Sequence, residues 1–240
     1  MSRPDPDLAA AFEATWPAAE TVRCGGFLVG RGAGAGGRVS SAIAVGPWTQ
    51  ADIDAACAQH AAWGQPPLFR AWDDEADLIA ALSARSLAAH IPTLVMAAPV
   101  SALTDRPIPP VTAFAIWPPL AIQRQIWAAG NITPARQAVM DRVPLPKAAL
   151  LGRIRDRAAG AGFVALHDRT AMVHAVEVLP AFRRQGLAGW MMRQAALWAQ
   201  DLGATRIALA VSRANTTAQT TYASLGFTTA GSYAYYGPAA

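Results

Sequence analysis

Cysteine and long apolar runs are scarce in this sequence. Of the 240 residues only Cys24 and Cys57 are cysteines, too few for a disulfide framework, so we expect reduced thiols and a cytoplasmic protein. No uninterrupted apolar stretch reaches the roughly 18 residues of a membrane span, although 53% of the chain is hydrophobic, and we expect no membrane partner. The first residues, MSRPDPDLAA, lack the charged and then apolar pattern of a secretory leader, so we expect none.

Histidine is also scarce and scattered. The four histidines, at 60, 90, 167 and 174, show no metal-ligand spacing, so we expect no metal site. The segment GRGAGAGG at 30–37 looks like a phosphate-binding glycine loop, but RVSSAIAVG follows it and is typical of a strand. Because such a loop needs a helix after it, we predict a flexible hairpin loop instead.

Acidic residues are sparse in the second half of the chain. Residues 1–110 hold seven basic and 11 acidic residues, whereas residues 111–240 hold 13 basic and five acidic ones. This asymmetry indicates that the second part meets an anion, either nucleic acid or a polyphosphate cofactor. The basic residues cluster partly at one loop and are not interleaved with aromatic residues, so we expect no nucleic-acid partner.

A proline-rich segment divides the chain. SALTDRPIPP at 101–110 lies where the charge changes sign, and we predict a linker there. Segment 1–100 shows the order ββ-α-β-α-β, with strands at 20–30, 38–46, 67–72 and 92–98, and the second half of segment 111–240 repeats this order. We therefore interpret the two segments as tandem α+β domains, the first a degenerate copy of the second.

The segment RRQGLAG at 183–189 has the features of a phosphate cradle. It follows a strand that ends in Val176-Glu177-Val178 and opens a helical stretch. A helix N-terminus offers free backbone N–H groups, and Gly186 and Ala188 leave room for a phosphate to approach them. Arg183 and Arg184 add positive charge, although a solvated surface turn would carry the same residues.

A second motif downstream makes the first more specific. The pattern N-x-x-A-x-x-x-Y-x-x-x-G-F begins at Asn215 and includes Ala218 and Tyr222. Together the motifs resemble the GNAT superfamily of acetyl-CoA-dependent N-acetyltransferases over about 111–240. The resemblance implies a mixed, mostly antiparallel sheet flanked by helices, and acetyl-CoA as cosubstrate. It implies cofactor contacts at Val176, Glu177, Val178, Arg183, Arg184, Gln185, Gly186, Leu187, Ala188, Gly189, Asn215, Ala218 and Tyr222.

The resemblance also implies catalytic roles. Tyr222 would be the general acid that protonates the leaving thiolate, since a phenol keeps its proton at pH 7. Many family members carry a glutamate where this chain has Met172. His174 stands two residues on, as in the similar arylalkylamine N-acetyltransferases, and would accept the amine proton, although a core histidine remains an alternative. Glu177 is the competing base, and strand alternation predicts it on the opposite face from His174.

The sequence therefore predicts an N-acetyltransferase that moves an acetyl group to a primary amine by direct attack in a ternary complex. Backbone amides near Val178 would stabilise the oxyanion. The expected partner is a small-molecule or peptide amine, and a homodimer stays open. The alternative is a non-catalytic module that binds or senses acyl-CoA.

Overall fold

The computed structural model describes residues 3–239 and shows one continuous sheet flanked by helices. Within this range no helix combines the length and apolarity that crossing a membrane demands. The helices are α1 (Pro6–Ala14), α2 (Gly37–Ser40), α3 (Gln50–Ala62), α4 (Ala76–Ala84), α5 (Ala121–Ala129), α6 (Pro134–Arg142), α7 (Leu187–Asp201) and α8 (Thr216–Ser224). The strands are β1 (Glu20–Cys24), β2 (Phe27–Arg31), β3 (Ala42–Ala44), β4 (Phe69–Trp72), β5 (Ala88–Pro99), β6 (Ala113–Ile116), β7 (Lys147–Ile154), β8 (Arg157–His167), β9 (Thr170–Val178), β10 (Arg206–Ser212) and β11 (Thr228–Gly237).

The sheet has an internal near-symmetry with two exchanged strands. Its order is β1-β2-β3-β4-β11-β5-β10-β9-β8-β7-β6. Apart from the one-turn helix α2, the succession βββ-α-β-α-β occurs twice along the chain, from β1 to β5 and from β7 to β11. Each half places its last strand beside the other half: β5 pairs with β10, and β11 pairs with β4. The two exchanged strands also pair with each other, antiparallel, at the centre of the sheet.

Local capping sets several helix starts, as the sequence indicates. Thr133 precedes Pro134, and its side chain accepts a hydrogen bond from the Arg136 amide. Asn215 caps α8 by accepting from the Ala218 amide at 3.1 Å. Such side chains satisfy amides that the helix leaves free. Thr133 and Asn215 therefore fix where α6 and α8 begin.

The first half differs from the prediction around its glycines. The predicted single strand over 20–30 is a hairpin, β1 and β2, because Gly25 adopts a positive φ of 56° and turns the chain. The predicted strand over 38–46 is also wrong in its first part. Residues 37–40 form the helical turn α2, which the Ser40 hydroxyl closes by donating to the Gly36 carbonyl at 3.0 Å, so only β3 remains extended.

Both faces of the C-terminal part of the sheet are covered. Helix α7 packs on one face around Met191, and α5 and α6 pack on the other around Trp127, which is fully buried. Glycines in β7 and β8 let α7 approach closely: a Cβ at Gly152 would come within 2.7 Å of the Met191 sulfur. This packing fixes the N-terminus of α7 beside the end of β9.

Candidate functional site

Strands β9 and β10 part before β9 ends. Their parallel pairing runs from Thr170–Arg206 to Val173–Leu209 and stops there. Among the residues that the structure describes, the rest of β9 pairs only with β8. The Leu179 amide donates to the Ala159 carbonyl on the β8 side at 2.9 Å, so by alternation the Val178 amide points the other way. The last residues of β9 thus leave one edge open to a ligand.

A β-bulge shapes this open edge. Ala175 has a positive φ of 52°, and the pairing with β8 shifts register there. The Trp127 indole donates to the Ala175 carbonyl at 2.9 Å and holds the bulge. His174 lies opposite Phe163 and Glu177 opposite Ala161, which puts both side chains on the same face. The prediction of opposite faces is therefore wrong, because the extra residue breaks the alternation.

The loop between β9 and α7 turns back over the strand end. The Arg183 guanidinium donates to the Val178 carbonyl at 2.9 Å and to the Glu177 carboxylate at 3.1 Å. Arg184 and Gly186 both have positive φ, at 61° and 77°. Gly186 is the N-cap of α7, and no side chain within residues 3–239 caps this helix. The first-turn amides of α7 therefore remain available to an anion.

These elements enclose a cleft of about 630 Å³. One wall comes from β9 and the loop, and the other from α8. Of the predicted cofactor-contact residues, all except Gln185 line it. The lining residues are Val176, Glu177, Val178, Phe182, Arg183, Arg184, Gly186, Leu187, Ala188, Gly189, Asn215, Thr217, Ala218, Thr221 and Tyr222.

Residues 136–227, which contain the whole cleft, match the family model of the acetyltransferase (GNAT) family. This part of the chain is therefore similar to GNAT acetyltransferases, and we refer to it as the GNAT domain. Members of this family are acetyltransferases, so the match favours acyl transfer in general. The family generally uses acyl-CoA. A search of curated proteins gives no match for this chain.

Solved structures share the fold of the GNAT domain and of the half that precedes it. A GCN5-related N-acetyltransferase from Kribbella flavida is 18% identical with a TM-score of 0.73, over 98% of this chain and 93% of that one. A GNAT-family protein from Novosphingobium aromaticivorans is 19% identical, with a TM-score of 0.58 over 92% of each chain. A tandem GNAT protein from the clavulanic acid biosynthesis pathway is 10% identical, with a TM-score of 0.59 over 89% and 79%. The predicted fold class is confirmed.

Tyr222 lies on α8 at the wall of the GNAT cleft. It is half-buried, and its ring centroid is 5.9 Å from that of Phe227. Burial raises the pKa of the Tyr222 phenol to about 12, because desolvation disfavours the phenolate. Tyr222 therefore keeps its proton throughout the neutral range, as a proton donor requires.

His174 does not line the cleft of the GNAT domain. It is buried between the rings of Trp16 and Phe163, at centroid distances of 5.0 and 6.1 Å. Its Nε2 lies 2.9 Å from the Thr15 hydroxyl, and its Nδ1 lies 3.2 Å from the Arg38 guanidinium. Because Thr15 donates to the Ala11 carbonyl and arginine only donates, the neutral Nε2–H tautomer satisfies both contacts.

The first half of the chain thus supplies most neighbours of His174. Burial places the pKa of His174 well below its ordinary 6.5, and the nearby Arg38 charge lowers it further. Sequence reasoning gave no sign of Thr15 or Arg38 here, because each lies more than a hundred positions away along the chain. Glu177, by contrast, lines the cleft and contacts the loop at Gly130.

Proposed function

We propose that the protein transfers an acetyl group from acetyl-CoA to a primary amine by direct attack in a ternary complex. One observation carries this proposal. A single cleft joins the open edge of β9, the uncapped N-terminus of α7 and the protonated Tyr222. These features would fit, in the same order, three parts of acetyl-CoA: its amide-containing pantetheine arm, its pyrophosphate and its leaving thiolate.

The residues of the cleft fit the parts of acetyl-CoA. The first-turn amides of α7 and the Arg184 side chain would hold the pyrophosphate. Because the pyrophosphate carries two negative charges, it is a good ligand for a helix N-terminus. The open edge at Val176–Val178 would pair with the pantetheine amides as a further strand would. Acetyl-CoA supplies the activated thioester. The Val178 amide, which points to the cleft, would donate to the oxygen that gains charge during attack.

Tyr222 would protonate the thiolate as it leaves. The reaction forms a bond between the amine nitrogen and the acetyl carbon and breaks the carbon–sulfur bond. The nitrogen must lose a proton and the sulfur gains one, so an acid and a base are both needed. Tyr222 is the acid, since its phenol lines the cleft and stays protonated.

Glu177 is the better placed proton acceptor, directly or through a water. Its carboxylate lines the cleft on the same face as His174. The Nδ1 lone pair is the only acceptor of the neutral His174 ring and it already accepts from Arg38, whereas the Glu177 carboxylate accepts from Arg183 through Oε1 and keeps a second oxygen. We therefore assign His174 a structural role and Glu177 the role of base.

Exchange of His174 for glutamine should change the pH dependence of stability and leave turnover within a few-fold. In the folded protein His174 stays neutral, whereas in the unfolded chain it takes a proton as the pH falls through 6.5. The free energy of unfolding therefore falls below pH 6.5, by up to about 1.4 kcal/mol per pH unit. Denaturant titrations between pH 7.5 and pH 5 should show that the free energy of unfolding falls less steeply with decreasing pH in His174→Gln than in the wild type.

Glu177→Gln is the matched comparison. This change keeps the size and the hydrogen bond to Arg183 but removes the base, so kcat should fall about 100-fold. A large loss of kcat in His174→Gln together with near-normal turnover in Glu177→Gln would reverse the assignment.

The proposal as a whole rests on acetyl-CoA binding and turnover. Acetyl-CoA at 1 mM should raise the melting temperature, since a ligand that binds only the folded state stabilises it. A panel of alkylamines, amino acids and peptides would then be screened for thiol release. No stabilisation would contradict the cofactor assignment. Stabilisation without thiol release from any amine would favour a module that binds acyl-CoA without catalysis.

A further inference from the structure

Trp127 contacts both segments that flank Glu177, the proposed base. Its indole N–H donates to the Ala175 carbonyl in β9 at 2.9 Å. Its backbone carbonyl accepts from the Gly130 amide at 3.1 Å, where α5 ends, and from the Ile132 amide at 3.2 Å. Trp127 is fully buried, so water does not compete for these contacts. Trp127 thus joins the strand that carries Glu177 to the loop that Glu177 touches.

The indole contact holds a backbone conformation that alanine seldom adopts. Ala175 has a φ of 52°, in the left-handed region, and a residue other than glycine keeps such a conformation where its surroundings fix it. Two residues of β9, Ala175 and Val176, stand opposite the single residue Gly162 of β8. Without this bulge, strand alternation would point Glu177 away from the loop after α5. Loss of the indole N–H would leave the Ala175 carbonyl without its donor, so the bulge should relax.

Gly130 leaves the space that the Glu177 side chain occupies. A Cβ at Gly130 would lie 2.7 Å from Cδ of Glu177, closer than Cβ atoms approach a neighbour in proteins. The φ of Gly130 is −96°, so the approach of Glu177, and not a left-handed backbone, calls for glycine here. An alanine at this position would displace the end of a flexible side chain and leave the backbone in place. The Glu177 carboxylate is thus fixed by β9, by Gly130 and by the Arg183 guanidinium.

We propose that Trp127 is a positioning residue for acetyl transfer, which acts on Glu177 through the bulge at Ala175 and through Gly130. This inference rests on the proposed role of Glu177 as the base. A base must lie within hydrogen-bond reach of the proton that it accepts, and a misplacement of about 1 Å can lower a rate about 100-fold. The N-terminus of α7 takes no part in these contacts, so cofactor binding should depend little on Trp127.

Exchange of Trp127 for phenylalanine removes the indole N–H and keeps an aromatic ring in the core. We expect kcat to fall at least about tenfold, because Glu177 is misplaced, whereas the Kd of acetyl-CoA should change less than about threefold. Trp117→Phe is the matched control. Trp117 packs against the same cluster of apolar residues as Trp127, but the donor to the Ala175 carbonyl is Trp127. The kcat of Trp117→Phe should therefore stay within about twofold of the wild type.

A double-mutant cycle with Glu177→Gln separates positioning from general packing. If Trp127 acts through Glu177, Trp127→Phe should lower kcat less than about twofold in the Glu177→Gln background, since no base is left to misplace. Gly130→Ala should behave in the same way, with a loss of kcat that depends on Glu177. Gly130 is exposed, so this variant tests the proposal even if Trp127→Phe does not fold. Equal losses of kcat with and without Glu177 would overturn the proposal.

Crystal structures of the wild type, Trp127→Phe and Gly130→Ala test the same contacts without turnover. The Glu177 carboxylate should move by at least about 1 Å in each variant, the displacement that a large loss of rate requires. A carboxylate that stays in place in both variants would overturn the proposal even if the wild type transfers acetyl groups. Displacement of Glu177 in a protein that releases no thiol from acetyl-CoA would support the positioning by Trp127 and contradict the proposed function instead.

Discussion

Tyr222→Phe should lower kcat for acetyl transfer about 100-fold while the affinity for CoA stays within a factor of two. The change removes one hydroxyl from a half-buried side chain and keeps its packing against Phe227. General acid catalysis typically contributes factors of about 100 to 10,000. Because the phenol pKa is about 12, the wild-type rate should show no alkaline loss from Tyr222 below about pH 11. Steady-state kinetics with titration of CoA separates the two effects.

A second tyrosine provides the control. Tyr236 is buried on β11 in the first half of the sheet, far from the GNAT cleft, so Tyr236→Phe should leave kcat unchanged. If Tyr222→Phe retained full turnover, the sulfur would receive its proton from another donor. An equal loss of CoA affinity and of kcat/KM would assign Tyr222 to binding alone.

Ala188→Asp should weaken acetyl-CoA binding at least 100-fold without destabilising the free protein. Ala188 lies in the first turn of α7 and lines the cleft. A carboxylate there is favourable for the empty helix N-terminus but repels a bound pyrophosphate. Two unit charges at 4 Å interact with about 4 kcal/mol at an effective dielectric constant of about 20. The melting temperature should stay the same or rise, and the stabilisation by acetyl-CoA should disappear.

Ala188→Asn separates charge from size. It is nearly isosteric with the aspartate and neutral, so it should bind acetyl-CoA much more tightly than Ala188→Asp. Equal losses in both variants would indicate simple crowding of the helix start. Undiminished binding in Ala188→Asp would show that the pyrophosphate does not lie at α7.

The sequence was most informative where local chemistry decides the structure. Strand β10, Arg206–Ser212, is a run of mostly apolar residues between turns, and this local pattern by itself favours a buried strand. The loop at 183–189 and the spacing from Asn215 to Tyr222 indicated the cleft, since each depends on residues close together along the chain. The predicted cofactor contacts and the role of Tyr222 remain proposals that the experiments above address.

Features that depend on distant residues could not be predicted. The bulge at Ala175 is held by the Trp127 indole, 48 positions earlier, and it moved Glu177 to the face of His174. Nothing in the local pattern around His174 signals Arg38. The domain division at 101–110 also remains a prediction. The sheet does not separate the two segments, because β5 pairs within the strands of the second segment and β11 within those of the first.

The exchange of β5 and β11 bears on how the molecule can be divided. Deleting residues 1–100 would expose the edge of β10 along seven residue pairs and leave β11 without either neighbour. Unpaired edges of that length promote aggregation. We therefore expect that the GNAT domain does not fold as a detachable module, because the first half of the chain completes its sheet. If the chain is cut within residues 101–110, we expect the two fragments to reassemble, because each would pair with the unpaired strand edge of the other.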